Sequence, residues 1–446
     1  MGTVTFNRSD LLSEGYKSFS ECPPASVIGI GQVRVGGVLY ECNGVNFTKN
    51  SLSSVMTANH AGLRLIPVQS HTLPATIGAT AGGYNINVQL PALDTFYGVR
   101  LIFQNWNTAA TMDFTGVKVA ACPVHGTLPN NNGALLWQGF VKVNNNQAFS
   151  VPAATTVGTQ VAPGTVITDL LFIKSTSRTD VVGAPPLLRV ASHVAENTIH
   201  PTIVYTKVVD SNTYVVPGVT PNPGLYHAFG IAADTLANLT STALSTPTSS
   251  NQAINPVGAI FYYDNPKTDF ICFADSILEG TGTYTTYCGL TNYLTYNSFA
   301  TSKAISGMNF GVGGHKTATS LQMLADTLSL IKPRYAIFKN YSPNDGQQDI
   351  GWINFLDSLR VCREKGVTPI ALTSPPTGSN WMEIKALNAK TLTQLPSDVI
   401  TIDFATLVND PANDGNHLSK YYKDGIHVND LALSDLANLI LANLAL

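Results

Sequence analysis

Near residue 264 the apolar residues of this 446-residue chain change their spacing, and that change limits what the chain can fold into. Before it they recur at every second position in short runs: Leu63–Val68, Tyr84–Leu90, Val99–Phe103, Val117–Ala120, Leu170–Ile173, Leu187–Val190 and Thr202–Tyr205. Gly, Pro, Asn and Thr separate the runs. Period two is the signature of a strand with one buried face, and many short strands between turn residues predict an antiparallel sandwich or jelly roll. After residue 264, continuous apolar runs at 270–273, 304–310, 335–339, 368–373 and 399–404 read as buried strands. Between them, 317–331, 352–365 and 382–395 carry apolar residues at three- and four-residue spacing, and 431–446 closes the chain as an apolar helix. Strand–helix alternation demands right-handed crossovers and so a parallel, doubly wound, five-stranded α/β sheet. Ligands of such sheets bind beyond the carboxyl ends of the strands. The expected organisation is a small N-terminal β module at 1–55, a β-sandwich or jelly-roll domain at 56–264 and an α/β domain at 265–446. In the first module, Gly31–Gly44 reads as a hairpin turning at Asn43-Gly44.

Charge follows the same division, with 24 charged residues in 1–264 and 29 in the remaining 182. Charged residues are 12% of the chain, against about 25% in typical proteins, and net charge is −3 with no block of Lys or Arg. That excludes nucleic acid and anionic membrane as expected partners and fits a large neutral substrate or a sugar surface. No run approaches the ~18 apolar residues of a membrane helix. Residues Met1–Arg8 lack the charged and apolar regions of a signal peptide. The expectation is a signal already removed or another route out of the cell. The six cysteines, at 22, 42, 122, 272, 288 and 362, form no close pairs of the zinc-site kind. They are either buried thiols or, for Cys22 and Cys42, a bridge.

Four short clusters carry chemistry. Asp275-Ser276 directly follows the first α/β strand, where an open sheet places catalytic groups; alone, the serine reads first as a helix cap. Asn309–Gly314 follows the second strand, and its glycines let backbone N–H groups approach a ligand. Its spacing is not G-x-G-x-x-G, and by itself it is an ordinary turn. Asn340–Asp345 follows the third strand, where an Asn amide can donate to an oxyanion, although Pro-Asn-Asp also makes a plain turn. Asp424-Gly425-Ile426-His427 precedes the last helix. Its local rival, Asp414-Gly415-Asn416-His417, has the same spacing, but His417 lies in a polar loop and is expected to be solvated. His315, beside the glycines, is expected at the surface or facing substrate.

Taken in order, the clusters resemble the four blocks of the SGNH (GDSL-type) hydrolase superfamily. Ala274-Asp275-Ser276 stands for its Gly-Asp-Ser, Gly314 for its second-block glycine, Ser342-Pro343-Asn344-Asp345 for its Gly-x-Asn-Asp, and Asp424–His427 for its Asp-x-x-His. The resemblance covers roughly 265–446. Ala274 and Ser342 replace glycines, and Val428 stands where the family often has proline. It implies a flavodoxin-like sheet and a carboxylic ester hydrolase needing no cofactor and no metal. Ser276 would be the nucleophile, His427 the base and Asp424 its orienter. The N–H groups of Ser276 and Gly314 and the Asn344 amide would form the oxyanion hole.

Substrate is an expectation from further away. Residues 28–48 resemble short β modules of bacteriophage tail proteins, and a sandwich ahead of an esterase resembles carbohydrate-active enzymes. Together these imply removal of O-acetyl groups from a capsule or lipopolysaccharide glycan. The setting would be a virion tail or extracellular, with a homotrimer and other tail proteins as partners. The alternatives are a glycan-binding adhesin on an inactive scaffold and a secreted lipase or general carboxylesterase. Tyr284–Tyr287 and Tyr293–Tyr296 read either as sugar-facing aromatics or as packing.

Overall fold

The computed structural model describes residues 30–35, 38–43, 47–49, 60–64, 84–92, 94–123, 135–179, 186–194, 229–233, 236–240, 256, 258–263, 268–280, 289–300, 305–377 and 380–444. The chain falls into two compact units, one of Met1–His60 with Tyr262–Pro266 and one of Ala61–Phe261 with Lys267–Leu446.

The first unit contains an antiparallel meander of β1 (Ile30–Val35), β2 (Val38–Asn43) and β3 (Phe47–Lys49). The meander holds two hairpins. Val35 pairs with Val38 and Cys42 with Phe47, so the chain reverses after Val35 and again after Cys42, the second reversal beginning at Asn43 of the expected Asn-Gly turn. The alternative of a bridge between Cys22 and Cys42 falls on Cys22, which lies outside the described residues.

One larger sheet comprises β4 (His60–Arg64), β6 (Phe96–Asn105), β11 (Gly164–Ile167), β12 (Leu171–Phe172) and β15 (Gly258–Tyr263). The other runs in the order β14 (Phe229–Ala233), β5 (Tyr84–Pro91), β13 (Leu187–Val194), β7 (Met112–Cys122), β8 (Phe149–Val151), antiparallel throughout. Phe103 of β6 meets Phe114 and Phe149 of the second sheet at 4.7 and 5.2 Å between ring centroids, which joins the sheets through an apolar centre. The expected strand at 202–205 lies outside the described residues. A short hairpin, β9 (Thr155–Val157) with β10 (Gln160–Ala162), stands apart as a two-stranded sheet. The alternation in β5 has a polar side that is not solvated: Asn85, Asn87 and Gln89 are buried, and Arg189 Nε donates to Asn87 Oδ1 at 3.3 Å.

The parallel sheet is built from β16 (Thr268–Phe273), β17 (Ile305–Asn309), β18 (Tyr335–Lys339), β19 (Thr368–Leu372) and β20 (Ile400–Ile402), ordered β17-β16-β18-β19-β20. This is the 2-1-3-4-5 order of a doubly wound sheet, with its switch point between β16 and β18. Its helices are α1 (Ser276–Glu279), α2 (Leu290–Ala300), α3 (Thr317–Leu330), α4 (Gln348–Glu364), α5 (Trp381–Gln394), α6 (Phe404–Val408) and α7 (Asp430–Asn443). Alternation along the strands divides the core. Phe270, Cys272, Ile305, Tyr335, Ile337, Ile370 and Leu372 pack with α2, α6 and α7. On the other face Phe338 meets Phe355 of α4 at 5.8 Å.

Helix α2 was not visible in the sequence. Its Thr, Asn and Tyr residues are weak helix formers, and its described side chains are buried on most sides, which erases the amphipathic stripe. Tyr293 is core, and its hydroxyl donates to Asp430 Oδ1 at 2.6 Å, tying α2 to the start of α7. Tyr284–Tyr287 lie outside the described residues. Cys122, Cys272 and Cys362 are buried thiols, and burial pushes the Cys362 thiol up to about 12. No described helix is long and apolar enough to cross a membrane.

Candidate active site

The chain leaves β16 through Ala274 and turns at once into the single turn of α1. Asp275 caps that turn, its Oδ1 accepting from Ile277 N–H at 3.1 Å. Its other oxygen meets Lys339 Nζ, at the end of β18, at 2.8 Å, with both side chains almost fully buried. A charged pair hidden from water persists only where hydrogen bonds hold it. Here it fastens the turn carrying Ser276 to the neighbouring strand. Ser276 is itself the first helical residue, not the cap, so the two readings of Asp275-Ser276 separate onto two residues.

His427 reaches this turn from 151 residues away, with Nε2 2.9 Å from Ser276 Oγ. Its Nδ1 lies 2.9 Å from Asp424 Oδ2. Asp424 Oδ1 also accepts from the backbone N–H groups of Ile426 and His427 at 2.8 and 2.7 Å. Partial burial pushes the Asp424 carboxyl up, but the His427 N–H, the imidazole and the Ile426 N–H outweigh it and hold it below the usual carboxylate range. The loop is short because Tyr422 bridges Val428. Val428 then enters the core, and Asn429 caps α7 by accepting from Ala432 N–H at 3.2 Å. Valine thus serves at the position where the resemblance expects proline.

The rival pair does not assemble. Asp414 is held by Lys385 Nζ and Trp381 Nε1, both at 2.8 Å. His417 is buried rather than solvated, with Nε2 2.8 Å from the Pro376 carbonyl oxygen. Burial lowers its pKa, opposed by the Pro376 contact.

The glycine loop runs beside the serine turn. Phe310 N–H donates to Cys272 O at 2.7 Å and Val312 N–H to Ala274 O at 3.0 Å, extending the β16–β17 pairing past the strands. A Cβ placed on Gly313 would stand 3.8 Å from Ser276 Cβ. His315 N–H closes a turn onto Val312 O at 3.1 Å, and Gly314, at the third position, has φ +80°. A positive φ there marks a type II turn, which favours glycine, and the closing bond leaves the Gly314 N–H outside it. His315 is buried, contrary to expectation, with its ring 6.1 Å from that of Trp106.

Asn344 is brought to the same place. Its Nδ2 donates to His315 O at 3.2 Å and Ser342 Oγ at 3.1 Å, one residue from Gly314. Asp345 accepts from Ser342 N–H, Thr317 N–H and Thr317 Oγ1 at 2.8–2.9 Å, binding this loop to the start of α3. Burial raises the Asp345 pKa, against those donors. Asn340 does not face the site: it is buried and bonded to Asn388, Thr391 and Ser374 of the α5 side.

Sequence reasoning missed Lys339. A lysine ending an otherwise apolar central strand, with an aspartate ending the strand beside it, was a readable signal. It also missed Gln160, whose side chain reaches Gly314 and α3 from the β9–β10 hairpin.

No family model matches the chain, and no curated protein does. Among solved structures it is similar to a GDSL-like lipase from Bacteroides thetaiotaomicron VPI-5482 (15% identical, TM-score 0.32, covering 39% of this chain and 86% of that one), the acetyl xylan esterase AlAXEase (15%, 0.33, 39% and 98%) and the psychrotrophic esterase EstA from Pseudoalteromonas sp. (13%, 0.32, 40% and 96%).

Proposed function

We propose that this chain is a serine esterase of the SGNH type that removes O-acetyl groups from a surface glycan. The observation that carries the reading is the relay Ser276 Oγ–His427 Nε2–His427 Nδ1–Asp424 Oδ2, two contacts of 2.9 Å each. Ser276 Oγ attacks the ester carbonyl while His427 Nε2 takes its proton, and Asp424 fixes the tautomer and stabilises the imidazolium. The tetrahedral oxyanion takes hydrogen bonds from the N–H groups of Ser276 and Gly314 and from the Asn344 amide, which exchanges one of its present acceptors for it. Collapse expels the alcohol, which takes the proton from His427. Water, deprotonated by the same nitrogen, then attacks the acyl-serine, releasing the acid and restoring the serine.

The glycan part of the reading is supported by the low charge and by the β-rich part of the chain, which brings Gln160 and Trp106 beside the glycine loop. Its setting would be a virion tail, as a homotrimer. One observation favours a lipophilic ester instead: Ile426, within the His427 loop, and Tyr422 beside it are exposed. Acetate release from an O-acetylated polysaccharide, compared with aryl esters of increasing chain length, tests both. Rapid acetate release from the polysaccharide, lost in Ser276→Ala, supports the proposal. Preference for long acyl chains supports the lipase, and glycan binding without release supports the adhesin.

A further inference from the structure

We infer that the β9–β10 hairpin is a working part of this active site and that Gln160 is the positioning residue of its oxyanion hole; the inference rests on the esterase reading. Gln160 begins the return strand of the hairpin, paired with Val157 across Gly158 and Thr159. Its amide nitrogen donates to the Gly314 carbonyl oxygen. Its amide oxygen accepts from Lys316 N–H at 2.9 Å and Thr319 Oγ1 at 2.5 Å. One side chain therefore grips the loop on both sides of His315.

The grip matters because the loop's own bonds end at the His315–Val312 turn, whose two central residues are both glycines. Gly313 and Gly314 have no Cβ to bar rotation, and a type II turn becomes type I when the peptide between its two central residues turns over. Here that is the Gly313–Gly314 peptide, whose N–H is the proposed oxyanion donor. Such a flip leaves the next peptide in place, so the bond to the Gly314 carbonyl acts by fixing where the residue that carries this N–H stands. The start of α3 likewise leaves orphan N–H groups. Lys316, at its cap position, makes no side-chain cap bond, so Gln160 takes the Lys316 N–H and Asp345 the Thr317 N–H. The His315 carbonyl accepts from Ser342 Oγ at 2.9 Å and from Asn344. The loop is thus held from the β9–β10 hairpin on one side and from the Ser342–Asp345 turn on the other. The α/β part supplies nucleophile and base, while the β9–β10 hairpin sets the geometry of the oxyanion donor.

The test is the pseudo-first-order rate constant for phosphonylation of the full-length protein by a p-nitrophenyl phosphonate ester, with kcat and KM for p-nitrophenyl acetate. The phosphoryl oxygen occupies the same hole, and a first-order constant does not depend on how much of a variant is folded. Gln160→Ala and Gln160→Glu are both expected to lower this constant and kcat by roughly 10–100-fold, below the ~10²–10³ of a deleted donor, with KM within about threefold. The Glu variant keeps an acceptor for Lys316 and Thr319 but sets a carboxylate against the Gly314 carbonyl. Wild-type rate constants in both variants would overturn the inference. Failure of the esterase reading is distinct: wild-type protein would then react no faster than Ser276→Ala.

Discussion

Replacing Lys339 by methionine keeps the length and apolar stem of the side chain but removes the charge that faces Asp275. In the wild type the two groups are 2.8 Å apart, with side-chain exposures of 2% and 0%. Removal would leave the carboxylate in a dry site, held by the Ile277 N–H at 3.1 Å without its charged partner. Stranding one member of a buried pair costs about 3–5 kcal/mol. An exposed pair such as Arg360–Glu364, with exposures of 58% and 57%, is screened by water and contributes far less. The contrast is the test. In urea unfolding followed by tryptophan fluorescence, Lys339→Met should lose about 3–5 kcal/mol and Arg360→Ala should stay close to wild type. The double variant Asp275→Asn with Lys339→Met should regain most of the loss, because Asn still caps α1 and no charge remains buried. A coupling of at least ~2 kcal/mol across the four proteins is expected of residues in contact. If Lys339→Met unfolds within about 1 kcal/mol of wild type, the pair is not the fastening assigned to it.

Asp424→Asn should retain the fold and lower kcat by about 10²–10⁴ through loss of the imidazole's orienter, read with an aryl acetate. Gly314→Ala meets no neighbour within 4 Å but must hold φ +80°, so it should cost about 1–2 kcal/mol of strain and lower kcat more than it alters KM. Asp269 sets a pH dependence: burial, against the Arg334 N–H, raises its carboxyl to about 7. A raised carboxyl pKa stabilises the fold fully below the unfolded value of ~3.9 and progressively less as pH rises to about 7, a span on the order of 4 kcal/mol. Asp269→Asn should flatten unfolding free energy against pH over that window; an unchanged slope would contradict the assignment.

What could be read in the sequence followed from periodicity. Five apolar runs became the parallel strands within a few residues at each end, because buried parallel strands are apolar on both faces. The four clusters fell where they did because strand ends of a doubly wound sheet converge on one edge. What could not be read depended on neighbours distant in sequence. His315 and His417 stand in polar stretches yet are buried, since loops of this sheet fold over one another. Gln160 is one glutamine among many in a β-rich region, and nothing near it announces a loop 154 residues away. The polar side of β5 reads as solvent-facing, but Arg189, lowered to about 10 by burial, lies among those residues.

The central claim is that Ser276 is a nucleophile activated by His427. It is tested most directly by treating the protein with a fluorophosphonate and mapping the adduct by peptide mass spectrometry. The account predicts one phosphonyl group per chain, on Ser276, abolished by Ser276→Ala and slowed by at least ~10³ in His427→Ala. An adduct on another residue, or labelling of His427→Ala at the wild-type rate, would contradict it.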